Sequence, residues 1–435
     1  MALDNFPYQI NTNGHLEIGG IDTIELATKY GTPLYVYDVS IIRQRCRAFV
    51  DTFGKLGVKA QVAYASKAFS SIAVLQVIKQ EGLSVDVVSE GELYTALQAG
   101  IDPKRIHMHG NNKSQRELEM AITHKIGCIV VDNFNEITLL TDLLKKHQYK
   151  MDVIIRVTPG IKSDTHHYIM TGNEDSKFGF DLHNGQAEEA FAQLMNNEWI
   201  RFKGFHCHIG SQIFDTDRFV LATNILFEKI SDWKTTYNYI PEVLNLGGGF
   251  GIRYTDSDRP IPLQDYVVRL VETVSEHCRN LQIPIPEIWI EPGRSIVGDA
   301  GITLYSVGST KHIPGIRDYV SVDGGMSDNI RPALYQAKYH GVLANKADQP
   351  VETTVSIAGK CCESGDMLIW DLPLPNVSSG DVLAVFSTGA YGYSMASNYN
   401  RIQKAAVVFV ENGIDKLVIR RETPEDIVSH DLSYE

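Results

Sequence analysis

Gln61-Val62-Ala63-Tyr64-Ala65-Ser66-Lys67 is an apolar run that ends in a lone amine. The next residues, Ala68-Phe69-Ser70-Ser71, lead into a helical pattern. Strands buried on both faces read as such continuous runs, and a strand followed by a helix is the unit of an α/β fold. A lysine at the C-terminal end of a buried strand faces a partly desolvated site, where the neutral amine that attacks carbonyl carbon is favoured. Lys67 is therefore a Schiff-base candidate. Taken alone, it reads better as a strand-end lysine that snorkels to the surface, so the rest of the chain has to decide.

The same texture recurs downstream. Apolar runs at Gln61–Ser66, Ser84–Val88, Arg105–His109, Cys128–Asp132, Asp152–Thr158, Phe202–His208, Val243–Leu246 and Glu287–Ile290 alternate with amphipathic stretches. Ser114-Gln115-Arg116-Glu117 is a capping box with Leu118 and Ile122 behind it, which predicts a helix start. Asn133 is placed to cap the next helix, and Gly82 and Gly100 stand where helices should stop. Eight strand–helix units predict a (β/α)8 barrel, with a doubly wound open sheet as the alternative. Lys67, Ser89, His109, Arg156, His208, Gly247-Gly248-Gly249 and Glu291 all fall at or just past a strand's C-terminal end, the face on which barrel active sites are built.

Beyond residue 300 the period changes to two. Val351, Thr353, Val355 and Ile357 alternate with Glu352, Thr354, Ser356 and Ala358, and further short strands separated by glycine and proline run to Lys416–Ile419. This predicts a mainly antiparallel β domain, which the strand-like Thr32-Pro33-Leu34-Tyr35-Val36-Tyr37 is placed to join. The expected division is a barrel over 38–290 and a β domain of 1–37 and 291–435. The connection from Pro159 to His183 exceeds an ordinary βα loop and reads as a lid. Its pair His166-His167 makes a poor metal site without a further placed ligand, and no metal is expected.

Composition narrows the partners. A net charge of −13 over 435 residues argues against nucleic acid or an anionic membrane. No apolar run approaches a membrane span, the N-terminus carries no signal pattern, and the six cysteines lack CxxC spacing. A reduced cytoplasmic protein is expected.

Two loops then give Lys67 something to hold. Gly247-Gly248-Gly249-Phe250-Gly251 follows the seventh run and Glu291-Pro292-Gly293-Arg294 the eighth, the positions where barrels often bind a phosphate. Arg294 can add a charge-assisted contact. A Schiff-base lysine opposite a phosphate cradle fits pyridoxal 5′-phosphate, whose ring nitrogen needs an acidic partner. Glu291 is placed for that, and His208 to stack on the ring. Each residue also has a bland reading: a turn needing positive φ, a loop glutamate, a core histidine.

In order along the chain stand Tyr64-Ala65-Ser66-Lys67-Ala68, His206-Cys207-His208-Ile209-Gly210-Ser211-Gln212, Gly247-Gly248-Gly249, Glu291-Pro292-Gly293-Arg294, Cys362-Glu363-Ser364-Gly365-Asp366 and Gly389-Ala390-Tyr391. Over nearly its whole length the chain resembles the diaminopimelate decarboxylases, of the alanine-racemase-like (fold type III) pyridoxal-phosphate decarboxylases. The resemblance implies that Lys67 bears the cofactor, Glu291 meets the pyridine nitrogen and His208 stacks on the ring. It places Ser211, Gly247, Gly248, Gly249, Gly293, Arg294 and Tyr391 at or beside the phosphate. It implies that Cys362 returns a proton to Cα after carbon dioxide leaves, and that it comes from the neighbouring subunit of a homodimer with shared active sites. It assigns Arg294, Arg331, Tyr335, Glu363 and Tyr391 to the substrate.

Arg331 can pair with a distal carboxylate in two-pronged fashion, and Glu363 can accept from a distal amine. Ornithine-type relatives carry aspartate after the cysteine, where this chain has Glu363. The expected reaction is therefore decarboxylation of meso-2,6-diaminopimelate to L-lysine. The alternatives are another basic amino-acid decarboxylase, an amino-acid racemase on the same scaffold, and a catalytically inactive regulatory homologue.

Overall fold

The computed structural model describes residues 6–160 and 176–435. The lid reading, with His166 and His167, falls mainly on 161–175 and lies outside the described residues. The chain divides into two compact units, Arg43–Gly251 with Pro260–Ser295, and Met1–Ile42 with Ile252–Arg259 and Ile296–Glu435.

The first unit is a closed parallel barrel. Its strands are Ala60–Ala65, Ser84–Val87, Ile106–Met108, Cys128–Val131, Met151–Thr158, Ile200–His206, Val243–Asn245 and Glu287–Ile290. Each pairs in parallel with the next. The eighth returns to the first, with Ile288 opposite Ala60, which excludes the open sheet. Helix starts are capped as the sequence predicts. Ser114 and Glu117 form a reciprocal capping box, and Asn133 accepts from the Glu136 N–H. Leu118, Ala121 and Ile122 form the buried face of the first of these helices. Gly82 and Gly100 follow helix ends with φ of 75° and 73°, conformations that cost glycine little.

The barrel interior is unusual in its polarity. Such interiors are mostly filled by branched apolar side chains, and Cys128, Val130, Ile154, Val243 and Trp289 form one such cluster. Asp86, His107, His109, Arg156, His206 and Asn245 are also buried. Buried polar groups persist only where they satisfy one another or a ligand. This concentration of them marks the interior as a site.

The second unit is built around Gly301–Ile313, a long strand with a shift of register between Val307 and Thr310. Its first half pairs antiparallel with Leu34–Asp38 and with Val382–Val385, and its second half with Arg317–Val322. The pairings of Tyr319 with Ser356 and of Leu34 with Ala406 are parallel; the others in this sheet are antiparallel. Leu34 and Val36 pack with Ile302, Leu304, Ala384 and Val408. The early strand-like segment is thus part of the β unit. Four short strands of this unit, Gln9–Ile10, Leu16–Ile18, Ile21–Asp22 and Gly341–Leu343, were not expected: two or three residues are too few to show a period.

Candidate active site

Glu291 stands just past the eighth barrel strand, and three barrel side chains converge on it. Asn245 Nδ2 donates to Oε1 at 2.6 Å. His206 Nε2 lies 3.1 Å from the same oxygen, and His109 Nε2 lies 3.3 Å from it. Burial alone would raise the carboxyl pKa, but His206 and His109 outweigh it and hold Glu291 well below the usual carboxylate range. Glu291 is therefore an anion at neutral pH. His109, His206 and Glu291 thus cluster, with one side-chain atom of each within 4.8 Å of the others.

His208 is kept neutral. Burial first, then the positive charges of Lys67 and Arg156, push its pKa well below the usual histidine value. Its Nδ1 accepts from the Gly248 N–H at 3.2 Å, which leaves a flat, uncharged ring. Asn245 Oδ1 likewise accepts from Gly247 N–H at 3.0 Å. Two N–H groups of the triple-glycine loop are thus committed within the chain and fix its shape. The loop also needs its glycines. Gly247 has φ of +68°, and a Cβ on Gly248 would lie 2.1 Å from the Glu291 carbonyl oxygen. Gly248→Ala is expected to lower stability by about 1–3 kcal/mol through overpacking, measured by urea unfolding. An unchanged midpoint would show that the loop can open.

The loop after the eighth strand links Glu291 to the lysine. The Ala65 N–H donates to Pro292 O at 3.1 Å. A Cβ on Gly293 would sit 3.1 Å from both Ala65 and Ala68, the neighbours of the Lys67 turn. Arg294 is buried, and its Nη2 donates to Ser211 Oγ at 3.0 Å. Lys67 itself corrects an expectation. Ser66–Ala68 form one turn of 3-10 helix that carries Lys67 outward, exposed rather than desolvated by its own chain.

The remaining expected residues lie in the second unit. Arg331 is buried, donates to the Tyr339 hydroxyl, and lies over the rings of Tyr254, Tyr339 and Tyr391 at 5.0, 5.7 and 6.0 Å. Among the described residues no carboxylate is within ion-pair distance of it. Burial lowers its pKa, but Tyr254 and Tyr339 reverse the shift, so it stays a cation in an aromatic cage. Tyr391 adopts φ of +61°, uncommon for a residue with a Cβ and frequent at functional positions. Tyr335 ends the short helix Arg331–Tyr335 and is half-buried.

Cys362 is the one exposed cysteine of the six. Burial raises the pKa of Cys46, Cys128, Cys207, Cys278 and Cys361, so those thiols are inert. The Cys362 turn is pinned from beneath, because the Asp366 carboxylate accepts from the N–H groups of Cys361 and Met326 at 2.7 and 2.6 Å. The Cys362 N–H donates to Asn400 Oδ1 at 2.9 Å, and exposed Glu363 accepts from the Tyr399 hydroxyl at 2.9 Å. The sequence reading assigned no role to Asn245, His206, Asp86, Tyr254 or Tyr339. Asn245 and Asp86 showed only as polar residues inside apolar strands, and His206 stood unassigned in the motif that holds His208.

An anionic carboxylate in a polar barrel mouth, a neutral imidazole and a lysine on the adjoining strand suit a protonated pyridine ring held covalently. The family described as pyridoxal-dependent decarboxylase, pyridoxal binding domain, matches residues 39–298; the chain is a pyridoxal-phosphate-dependent carboxy-lyase. It is 63% identical to the diaminopimelate decarboxylase of Bacillus subtilis (strain 168), over 98% of this chain and 97% of that one. It is 45% identical to the diaminopimelate decarboxylase of Staphylococcus aureus (strain COL), over 97% and 98%. The crystal structure of diaminopimelate decarboxylase from M. jannaschii in complex with L-lysine superposes with a TM-score of 0.92 at 34% identity, covering 99% of this chain and 98% of that one. The chain belongs to the diaminopimelate decarboxylase family. Among the described residues no helix is long and apolar enough to cross a membrane.

Proposed function

We propose that the chain converts meso-2,6-diaminopimelate to L-lysine and carbon dioxide with Lys67 as the residue that holds pyridoxal phosphate. The observation that carries the reading is the largely buried, anionic Glu291 at the mouth of the barrel. When bound, the cofactor supplies an electron sink for the pair left by the departing carboxylate. Glu291, being ionised, would hold the proton on the pyridine nitrogen. His208 would pack a neutral face on the ring and add no positive charge of its own. Ser211, Arg294 and the Gly247–Gly249 loop with Gly293 would hold the phosphate, with Tyr391 beside it.

Cys362 donates the proton to Cα, and its exposure and pinned turn support this role. By resemblance it acts in the active site of a second copy, so the proposed assembly is a homodimer with shared sites, in the cytoplasm. In this reading the barrel part holds the cofactor, and the β part, 1–37 with 291–435, supplies Cys362, Glu363 and Tyr391.

Recognition of the substrate's distal end falls to Arg331, Glu363 and Tyr335, with Arg294 and Tyr391. The aromatic cage around Arg331 lacks an anion of its own, and burying a cation without one is costly; a distal carboxylate supplies it. Released carbon dioxide, measured separately with diaminopimelate, lysine and ornithine, tests the reading. Release from lysine or ornithine but not diaminopimelate contradicts it. Arg331→Ala is expected to reduce discrimination between diaminopimelate and lysine by about 2–5 kcal/mol, the loss for one partner of a buried charge pair. Equal losses for both ligands in kcat/KM and inhibition constants would remove Arg331 from that role.

A further inference from the structure

Glu291 is the end of a longer chain of buried charge. His109 Nε2, which meets Glu291 at 3.3 Å, lies 3.6 Å from Asp86 Oδ1. The same Asp86 oxygen is 3.4 Å from His107 Nδ1, and the His107 ring stacks on Trp289 at 4.1 Å. Asp86, His107 and His109 are all buried. They come from the second barrel strand, the third strand and the position just after it, and only closure of the barrel carries the series across to the eighth.

Two carboxylates, Asp86 buried and Glu291 largely so, must be compensated. Among the described residues neither Asp86 nor Glu291 has a lysine or arginine within ion-pair distance. The nearby Arg156 instead faces Asp132 at 3.9 Å. His206, whose ring meets that of His109 edge-on at 5.1 Å, is held neutral because burial outweighs Glu291. His107 reaches Asp86 alone, and His109 is the histidine that lies within 4 Å of both acids.

We propose that Asp86 and His109 are positioning residues, His109 bridging the Asp86 and Glu291 carboxylates as an imidazolium that fixes Glu291 as an anion aimed at the cofactor's ring nitrogen. This rests on the reading of Glu291 given above. Electrostatics support the bridge: burial lowers the His109 pKa, but Glu291 and Asp86 together reverse the shift and leave it raised. The groups that face His109 are Asp86, Glu291, His206 and, at longer range, Arg156, and only the last opposes its charge directly. Asp86 acts through His109 and touches neither substrate nor cofactor in this scheme.

The test begins with the cofactor-free full chain, with histidine side chains labelled for NMR and the His109 signal assigned by its loss in His109→Gln. His109 is expected to titrate above the ordinary histidine value of about 6.5. In Asp86→Asn, which keeps shape and removes charge, the midpoint is expected to fall. The affinity for pyridoxal phosphate should weaken roughly tenfold, the lower end of the loss when a supporting carboxylate behind a ligating histidine is removed. A wild-type His109 that titrates at or below the ordinary value overturns the proposal, and needs no variant to fold. Unchanged His109 titration and cofactor affinity in Asp86→Asn also overturn it, as does a transition metal found on His109, His206 and Glu291 in the purified apo-protein. Glu291→Gln separates this proposal from the one beneath it. Unchanged cofactor affinity there removes Glu291 from the ring nitrogen, while the His109 titration judges the bridge by itself.

Discussion

Replacing Lys67 with alanine is expected to abolish the visible absorption band of the lysine-bound cofactor and to lower turnover by about 10⁴-fold or more, the upper end of what one acid–base group contributes. The large effect follows from two duties on one side chain. In the proposed role Lys67 would anchor the cofactor covalently and would yield it to the substrate amine. The structure allows both, because the 3-10 turn leaves the amine exposed while Ala65 and Gly293 lock the turn to the Glu291 loop. The measurement is an absorption spectrum of the variant with pyridoxal phosphate, followed by borohydride reduction and peptide mapping. A lysine-bound adduct that persists in Lys67→Ala means that another residue bears the cofactor.

Cys362→Ala is expected to lower turnover by roughly 10²–10⁴-fold, the range for a positioned acid, while cofactor binding stays intact. The split separates this thiol from a structural one. Loss of a small buried cysteine would show in stability, but Cys362 is exposed and its turn is held through Asp366 and backbone N–H groups. Alanine should therefore leave the unfolding midpoint close to that of the parent. Mixing Cys362→Ala with Lys67→Ala subunits tests sharing. If each site takes its cysteine from the other chain, mixed dimers regain one complete site and part of the activity. Turnover of Cys362→Ala equal to the parent removes the residue from proton delivery. No recovery in mixed dimers assigns both residues to one chain.

The barrel was legible because each strand is a short apolar run bounded by a cap or a glycine. Such local signals survive in one dimension: Ser114 with Glu117, Asn133, Gly82 and Gly100 all do what their chemistry predicts. The three-residue strand Gly341–Leu343 and the full length of Gly301–Ile313 were not legible, since the first has no period and the second continues past a shift of register. In the candidate site, the residues proposed for cofactor and substrate were picked out by their motifs. Those that act only through a neighbour, such as Asn245 on Glu291 or Tyr339 on Arg331, carry no motif and were missed.

The sequence by itself determined the class of chemistry. A strand-end lysine, two glycine loops after the last two barrel strands, an acid and a cysteine followed by glutamate, in that order, fit one cofactor and one family. Protonation states were decided only by the tertiary structure. Whether Glu291 is charged, His208 neutral and Arg331 caged depends on which groups burial brings within a few ångströms. Electrostatic interactions fall with distance and grow as water is excluded. Residues 86, 109, 206, 245 and 291 are far apart along the chain, and only closure of the eighth strand onto the first makes them neighbours.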